Sequence, residues 1–299
     1  MHELTNERCI FNFSKFNKPI LNVNDGDEVK IASLDCFSCQ IKTNDDKLET
    51  MDWDKINPAT GPIYINSAKE GDTLEVTIKK INIDNKGVVA TGKNLGVLGH
   101  MMNDLYSRVI KITAGKVIFN EKLSFPIKPM IGVIGVAPQE GEINCGTPGP
   151  HGGNMDTTLI QEGSKLYLPV FVDGALFALG DLHAAMGDGE IGVSGVEVNG
   201  SVIVGFRVLK NLKFNNPVVK TNEVTATIAS NESIEKAIET SVKNMAEIFQ
   251  RYTDLSIEEI STLFSISGNV QISQVVDPLK TARFSMANWI LEAYGIIFE

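Results

Sequence analysis

Polar and apolar residues alternate one for one over 73–79 (Thr-Leu-Glu-Val-Thr-Ile-Lys), and nearly so over 201–208 (Ser-Val-Ile-Val-Gly-Phe-Arg-Val). A period of two sends successive side chains to opposite faces, so both stretches predict half-buried strands. A short preamble introduces such stretches three times. DGDEVKI (25–31), EGDTLEV (70–76) and EGSKLYL (162–168) each set an acid and a glycine before the alternation, where glycine allows a tight turn. Strands are also expected over 29–34 and 175–183. The pattern changes after Asn215-Asn-Pro217. Residues 219–229 read as a strand. Over 230–252, Ile234, Ile238, Val242, Met245, Ile248 and Phe249 fall on one helical stripe. Ser256-Ile-Glu-Glu259 is a capping box whose helix should bury Ile257, Ile260, Leu263 and Phe264 and stop near Gly268. A strand over 270–276 and a last helix over about 279–293, ended by Gly295, complete the expectation. The chain should therefore be mainly β, with an α+β C-terminal part. The boundary is expected at Pro217, giving a β-rich body over 1–217 that carries the chemistry and a smaller α+β domain over 218–299.

Composition narrows the function. With 299 residues, 43% hydrophobic and 21% charged, the chain can bury a sizeable core. A net charge of −10 and a pI near 5.0 repel phosphate backbones, which argues against nucleic acid as a partner. The longest apolar run, near 166–182, is broken by Pro169, Asp173 and Asp181, so no membrane span is expected. The opening MHELTNERC has no apolar stretch of an export signal, and the cytoplasm is the expected location. Of four cysteines, Cys36 and Cys39 form a CxxC with no second CxxC to complete a zinc site, so reduced, half-buried thiols are expected.

Two glycine-laden segments concentrate the candidate chemistry. The first, Gly146-Thr-Pro-Gly-Pro-His-Gly-Gly-Asn-Met-Asp156, holds too much glycine and proline for regular structure, yet carries an imidazole, an amide and an acid. The bland alternative is a turn in which Asn154 and Asp156 cap backbone amides. The second is Gly180-Asp-Leu-His-Ala-Ala-Met-Gly-Asp-Gly-Glu190. If the strand continues, Asp181 and His183 share a face, which is half of a divalent metal site or an acid orienting its histidine. Asp188-Gly-Glu190 reads as a turn with solvated acids. Glu197 sits between two valines, where burial would raise its pKa and suit it to general-base work, although an outward position is equally open. Asp35 ends a strand. No GxSxG elbow, P-loop or HExxH is present.

These stretches resemble the acetamidase/formamidase family. The resemblance is carried by NPATGPIYI (57–65), EGDTLEV (70–76), IGVIGVAP (131–138), PGPHGGNMD (148–156), LYLPVFVDGALFALGDLHAAMGDGE (166–190) and Gly195-Val-Glu197. It is strong over about 1–215 and looser beyond. It implies a β-sandwich or barrel-like body and hydrolysis of short linear amides to carboxylate and ammonia. It further implies a divalent metal, zinc first and calcium second, and assembly as a homodimer or larger homo-oligomer. His151, Asn154, Asp156, Asp181, His183 and Glu197 fall on matching motif positions, and Asp35 matches through its strand–DCF context. His100 matches no motif.

The expected mechanism has His151, Asp181 and His183 holding the ion, with Asp35 as fourth ligand. Glu197 would be the base, with Asp156 or Glu142 as substitutes. Asn154 and the amides of Gly152 and Gly153 would face the carbonyl oxygen. Three rivals stand beside it. One is a non-catalytic β-sandwich that binds a small ligand. Another is a hydrolase of longer, cyclic or urea-like amides, and the third a thiol mechanism on Cys145 or Cys36.

Overall fold

The structure is a computed structural model and describes residues 1–298. Two open sheets lie face to face. The first has nine strands in the order His2–Leu4, Glu28–Ser33, Gly200–Leu209, Thr73–Ile83, Lys165–Pro169, Val218–Lys220, Val224–Asn231, Lys280–Ala287 and Asn269–Gln274. The second has eleven, among them Lys86–Gly92, Glu197–Val198, Phe177–His183, Met130–Gly135 and Gly152–Asn154 as consecutive neighbours. Their inner faces share one apolar core. Ile31, Val76 and Val204 from the first sheet meet Ile112, Ile131 and Leu179 from the second. Alternation along 73–78 and 200–208 thus does what its period implies: every second side chain enters this core.

The C-terminal part is α+β, as expected, but it is not a unit set apart at Pro217. The first sheet runs straight through that boundary, because Val218–Lys220 pairs with Lys165–Pro169 on one side and Val224–Asn231 on the other. Two helices cover the far end of the sheet. In Ile234–Tyr252 the stripe buries Met245, Ile248 and Phe249. In Ile257–Ser267 the capping box forms, with Ile260 and Phe264 buried but Ile257 left 51% exposed.

The last helix begins later than expected. Residues 280–287 form a strand, and only Asn288–Ala293 is helical. That strand lies between two others and is buried on both faces, with the pattern iBBBBBBi. Burial on both faces erases the period of two, so Lys-Thr-Ala-Arg-Phe-Ser-Met-Ala carries no strand signature and reads as helix by propensity. Among the described residues no helix is long and apolar enough to cross a membrane. All four cysteines are free thiols.

Candidate active site

Strand register builds the site. Phe177–His183 pairs with Met130–Gly135 on one side and Glu197–Val198 on the other, with His183 opposite both Met130 and Glu197. Direct cross-strand neighbours have Cβ atoms ~5 Å apart, so His183 and Glu197 meet across the ladder. Asp181 joins them two residues earlier on the same face, with a backbone φ of +56° that only the surrounding structure can hold. Asp156 follows the Gly152–Asn154 strand, also at positive φ, and reaches Asp181 past Gly132. A Cβ on Gly132 would overlap Asp156 Oδ1 and Asp181 Oδ2, so the glycine is the gap that lets the two carboxyls approach.

His183 Nε2 lies 3.1 Å from Glu197 Oε2, 3.4 Å from Asp181 Oδ1 and 3.7 Å from Asp156 Oδ1. None of these residues is more than 2% exposed. Both oxygens of Asp156, Asp181 Oδ1, Glu197 Oε2 and His183 Nδ1 have no hydrogen-bond partner among the described residues. Two acids that were expected to be solvated, or were not singled out, complete the group. Glu190 is 6% exposed, and its carboxylate lies within 4.8 Å of ligand atoms of Asp156 and His183. Asp277, in the turn before Lys280–Ala287, accepts a 3.0 Å hydrogen bond from Asn154 Nδ2. Glu190 closes the second glycine-laden segment, but Asp-Gly-Glu is an ordinary turn composition and reads as solvated; Asp277 is brought in by the C-terminal sheet and is not marked by any sequence pattern.

The electrostatics follow from crowding. Burial raises the Asp156 carboxyl well above its ordinary range, and Glu190 and Asp181 push it further. Burial likewise raises Glu190 well above normal and Asp277 too, helped by Asp156 and Asp181. Glu197 is pushed up to about 8 by burial, with His183 opposing. Burial disfavours charge on His183 too, but Glu197 and Asp181 outweigh it and raise the imidazole well above its usual range. Burial is also the largest influence on Asp181, but the His183 charge together with hydrogen bonds from His183 and Glu197 outweighs it and holds that carboxyl low.

One imidazole cannot neutralise five carboxyls. Buried charges of one sign demand protons or a cation, and the donor set fits a cation. Donors around a four-coordinate zinc at ~2.0–2.2 Å from the ion stand about 3.3–3.6 Å apart, against the 3.1–3.7 Å separating His183 Nε2 from its three oxygens. Carboxylate oxygens with one imidazole suit zinc and, with more oxygens, calcium. Cys36 Sγ adds a softer atom within 4.8 Å of Asp181 and Glu197.

Five other expected participants lie elsewhere. His151 stands opposite Val136, six residues beyond the Met130 that pairs with His183, or about 20 Å of strand. Its ring packs edge-on against Phe13 and beside Gly149 and Gly153, with neither nitrogen partnered among the described residues. Burial without a nearby charge lowers its pKa to about 4. The structure therefore does not bring His151 into the carboxylate group. Asp35 accepts from the Cys39 amide at 2.9 Å and serves its own turn. The Gly152 amide is spent on the Gly149 carbonyl at 3.0 Å, and Gly153 sits in the ladder opposite Ile134, so neither glycine borders the cavity. Glu142 is exposed on a strand paired with Asn12–Ser14, away from the site.

Above the carboxyls is a cavity of about 120 Å³, bordered by Asn154, Asp181, Glu190, Glu197, Asp277 and Cys36. At ~30 Å³ per water this is room for about four waters. On the other side of Glu190 runs an open apolar groove of about 800 Å³ between Tyr106, Phe119, Phe125 and Ile191.

With this geometry the chain belongs to the acetamidase/formamidase family, whose model matches residues 15–144 and 143–280. Its backbone superposes on a crystal structure from Thermoanaerobacter tengcongensis, described as a predicted acetamidase/formamidase, with a TM-score of 0.98 at 66% identity over 99% of each chain. An acetamidase from Bacillus halodurans gives a TM-score of 0.97 at 46% identity, over 98% of this chain and 100% of that one. A Schizosaccharomyces pombe protein provisionally named a formamidase is 27% identical over 260 residues, 64% of this chain. The chain spans only 61% of that relative's length.

Proposed function

We propose that the protein hydrolyses the carbon–nitrogen bond of short linear amides, such as formamide and acetamide, to carboxylate and ammonia. The observation that carries this reading is the cavity of about 120 Å³ set directly on the buried carboxyls. It admits a few heavy atoms and presents them to groups able to hold and move protons. Family membership supports the same reaction class. Asp156, Asp181, His183 and Glu190 are the residues that would hold a divalent ion. When bound, such an ion lowers the pKa of water towards ~7 and polarises a carbonyl oxygen. Glu197 accepts the proton of the attacking water and delivers it to the leaving nitrogen. A carboxyl raised towards neutrality is suited to both halves of that transfer. Asn154 has its Nδ2 held by Asp277 and its Oδ1 without a partner among the described residues, so Oδ1 is aimed to accept from the substrate's NH₂. Burial keeps competing water out of this exchange.

The test is ammonia release from formamide and acetamide before and after dialysis against chelator. Loss on chelation with recovery on adding Zn²⁺ supports the reading. Full activity in the metal-free protein would remove the ion, and no release from any amide would remove the reaction. A second reading, a longer amide, is favoured by the apolar groove that shares Glu190 and Ala90 with the cavity. Under it, kcat/KM would rise with acyl length instead of falling after acetamide.

A further inference from the structure

The loop over 184–196 carries Glu190 without regular structure of its own, and Gly189 and Glu190 both have positive φ (98° and 47°). Such a turn holds its shape only if other parts of the molecule fix it. The fixing group comes from the distant end of the chain. Arg283, 2% exposed in the Lys280–Ala287 strand, grips Asp188 with both terminal nitrogens, Nη1 to Oδ1 at 3.0 Å and Nη2 to Oδ2 at 2.6 Å. Two more of its donors are used, Nε on Gln271 Oε1 and Nη1 on Ser273 Oγ, both at 3.1 Å. The same network reaches the other side of the site. Thr158 donates to Asp188 Oδ1 at 2.9 Å, and Thr157, next to Asp156, donates to Ser273 Oγ at 2.8 Å. Between them, the Gly189 amide bonds to the Ser273 carbonyl at 2.8 Å.

We infer that Arg283 is a positioning residue of the active site. Through its two-pronged grip on Asp188 it fixes the turn that presents Glu190 to Asp156 and His183. The C-terminal sheet thereby becomes part of the site's scaffold. The inference rests on reading Glu190 as a ligand of the divalent ion. Three facts favour positioning over mere stability. A planar, bidentate guanidinium fixes orientation as well as distance, which a point charge does not. The Asp188 side chain is 40% exposed and would be well solvated without a partner, so the pair is not needed to satisfy that carboxylate. And a buried ion pair is often replaceable by apolar packing without loss of stability.

The experiment uses the full-length protein with Arg283→Met and Asp188→Asn. Zn²⁺ affinity of chelator-treated protein is measured by titration calorimetry, and amide-proton exchange is followed across 186–196. Both variants should keep the wild-type exchange pattern in Ile234–Tyr252, showing that they fold. Both should lose protection in the 186–196 loop and bind Zn²⁺ ~10–100-fold more weakly, as expected when a support of a metal ligand is removed. The double variant should do no more harm than either single one, because the two residues act as one grip. Folded variants with wild-type loop protection would overturn the inference. Loosened loops with unchanged Zn²⁺ affinity would also overturn it, since the grip would then not position a ligand. Wild-type protein that takes up no Zn²⁺ would instead sink the reading of Glu190 as a ligand, while loop exchange still decides whether Arg283 holds the turn.

Discussion

His151 and His183 are both 1% exposed, both sit in glycine-rich segments, and both carry side chains without full hydrogen bonding. Their surroundings are opposite. Three carboxylate oxygens face His183 within 3.7 Å and raise its pKa against the cost of burial. The ring of His151 packs edge-on against Phe13, and burial alone lowers its pKa to about 4. What separates them is register. His183 pairs with Met130 and Glu197, at the end of the strand where acids converge. His151 bonds through its carbonyl to Val136, beyond the opposite end of the same central strand. Burial in a glycine-rich turn is thus no guide to chemistry until the neighbours across the ladder are known.

The strongest way to break this contrast is to remove each imidazole in turn. His183→Ala should weaken Zn²⁺ binding by more than the ~10–100-fold typical of a residue that only supports a ligand. His151→Gln should leave that affinity within the scatter of wild type. Glu197→Gln should cost ~10²–10⁴ in the rate of ammonia release while the ion still binds, the range for loss of a general acid–base. Equal metal affinities for His183→Ala and wild type would erase the distinction drawn here. Gly132→Ala probes the same side more gently. The added methyl would press Asp156 and Asp181 apart, and weaker Zn²⁺ binding with an intact unfolding transition is the expected result.

The sequence went far where the physics was local. The strands over 73–79 and 201–208, the helical stripe and the Ser256–Glu259 box depend on neighbours a few residues apart, and all are present. Asp181, His183, Glu197 and Asp156 were also readable, since a strand's period and the family resemblance mark them, and the structure gathers them. Glu190 and Asp277 were not readable. Each is placed by a long-range contact, through Gly189 on Ser273 and through Asn154 respectively, and neither leaves a local pattern. The same holds for 280–287, where burial on both faces removed the only signal of a strand.

Acid and alkali sharpen the comparison, because in metal-free protein the two regions should shift stability in opposite directions. His151 has a folded pKa of about 4 against 6.5 unfolded. As pH falls from about 6.5 to about 4, the unfolded chain takes up a proton that the folded one refuses, and stability drops by about 3 kcal/mol. For Asp156, Glu190, Glu197 and Asp277 the folded pKa is raised. Their contribution is whole below the ordinary carboxyl range and is lost as pH rises, through about 8 for Glu197. Between pH about 4 and about 6.5 the two effects oppose each other, and above that only the carboxyls act, so the urea midpoint should fall as pH rises towards about 8. His151→Gln removes the opposing gain and should steepen the fall between about 4 and about 6.5, while added Zn²⁺ should shrink the fall by neutralising the carboxylates. An unchanged slope below about 6.5 in His151→Gln would mean that the imidazole is not held neutral in the fold.

Asp35 gives the smallest expected effect and the finest test of where the site ends. Burial raises its carboxyl, while the Cys39 and Phe37 amides oppose the rise, and Asp181 acts on it only through its charge. The 2.9 Å bond to the Cys39 amide ties the carboxylate to the turn that carries Cys36. Asparagine keeps one acceptor for that amide and removes the charge. Asp35→Asn should therefore cost at most about 1 kcal/mol of stability. It should also leave Zn²⁺ affinity within about twofold, well short of the ~10–100-fold expected even of a residue that merely supports a ligand. A loss of affinity as large as that of Gly132→Ala would carry the ion's surroundings across to the turn over 35–39. Cys36, already within 4.8 Å of Asp181 and Glu197, would then be the next residue to change.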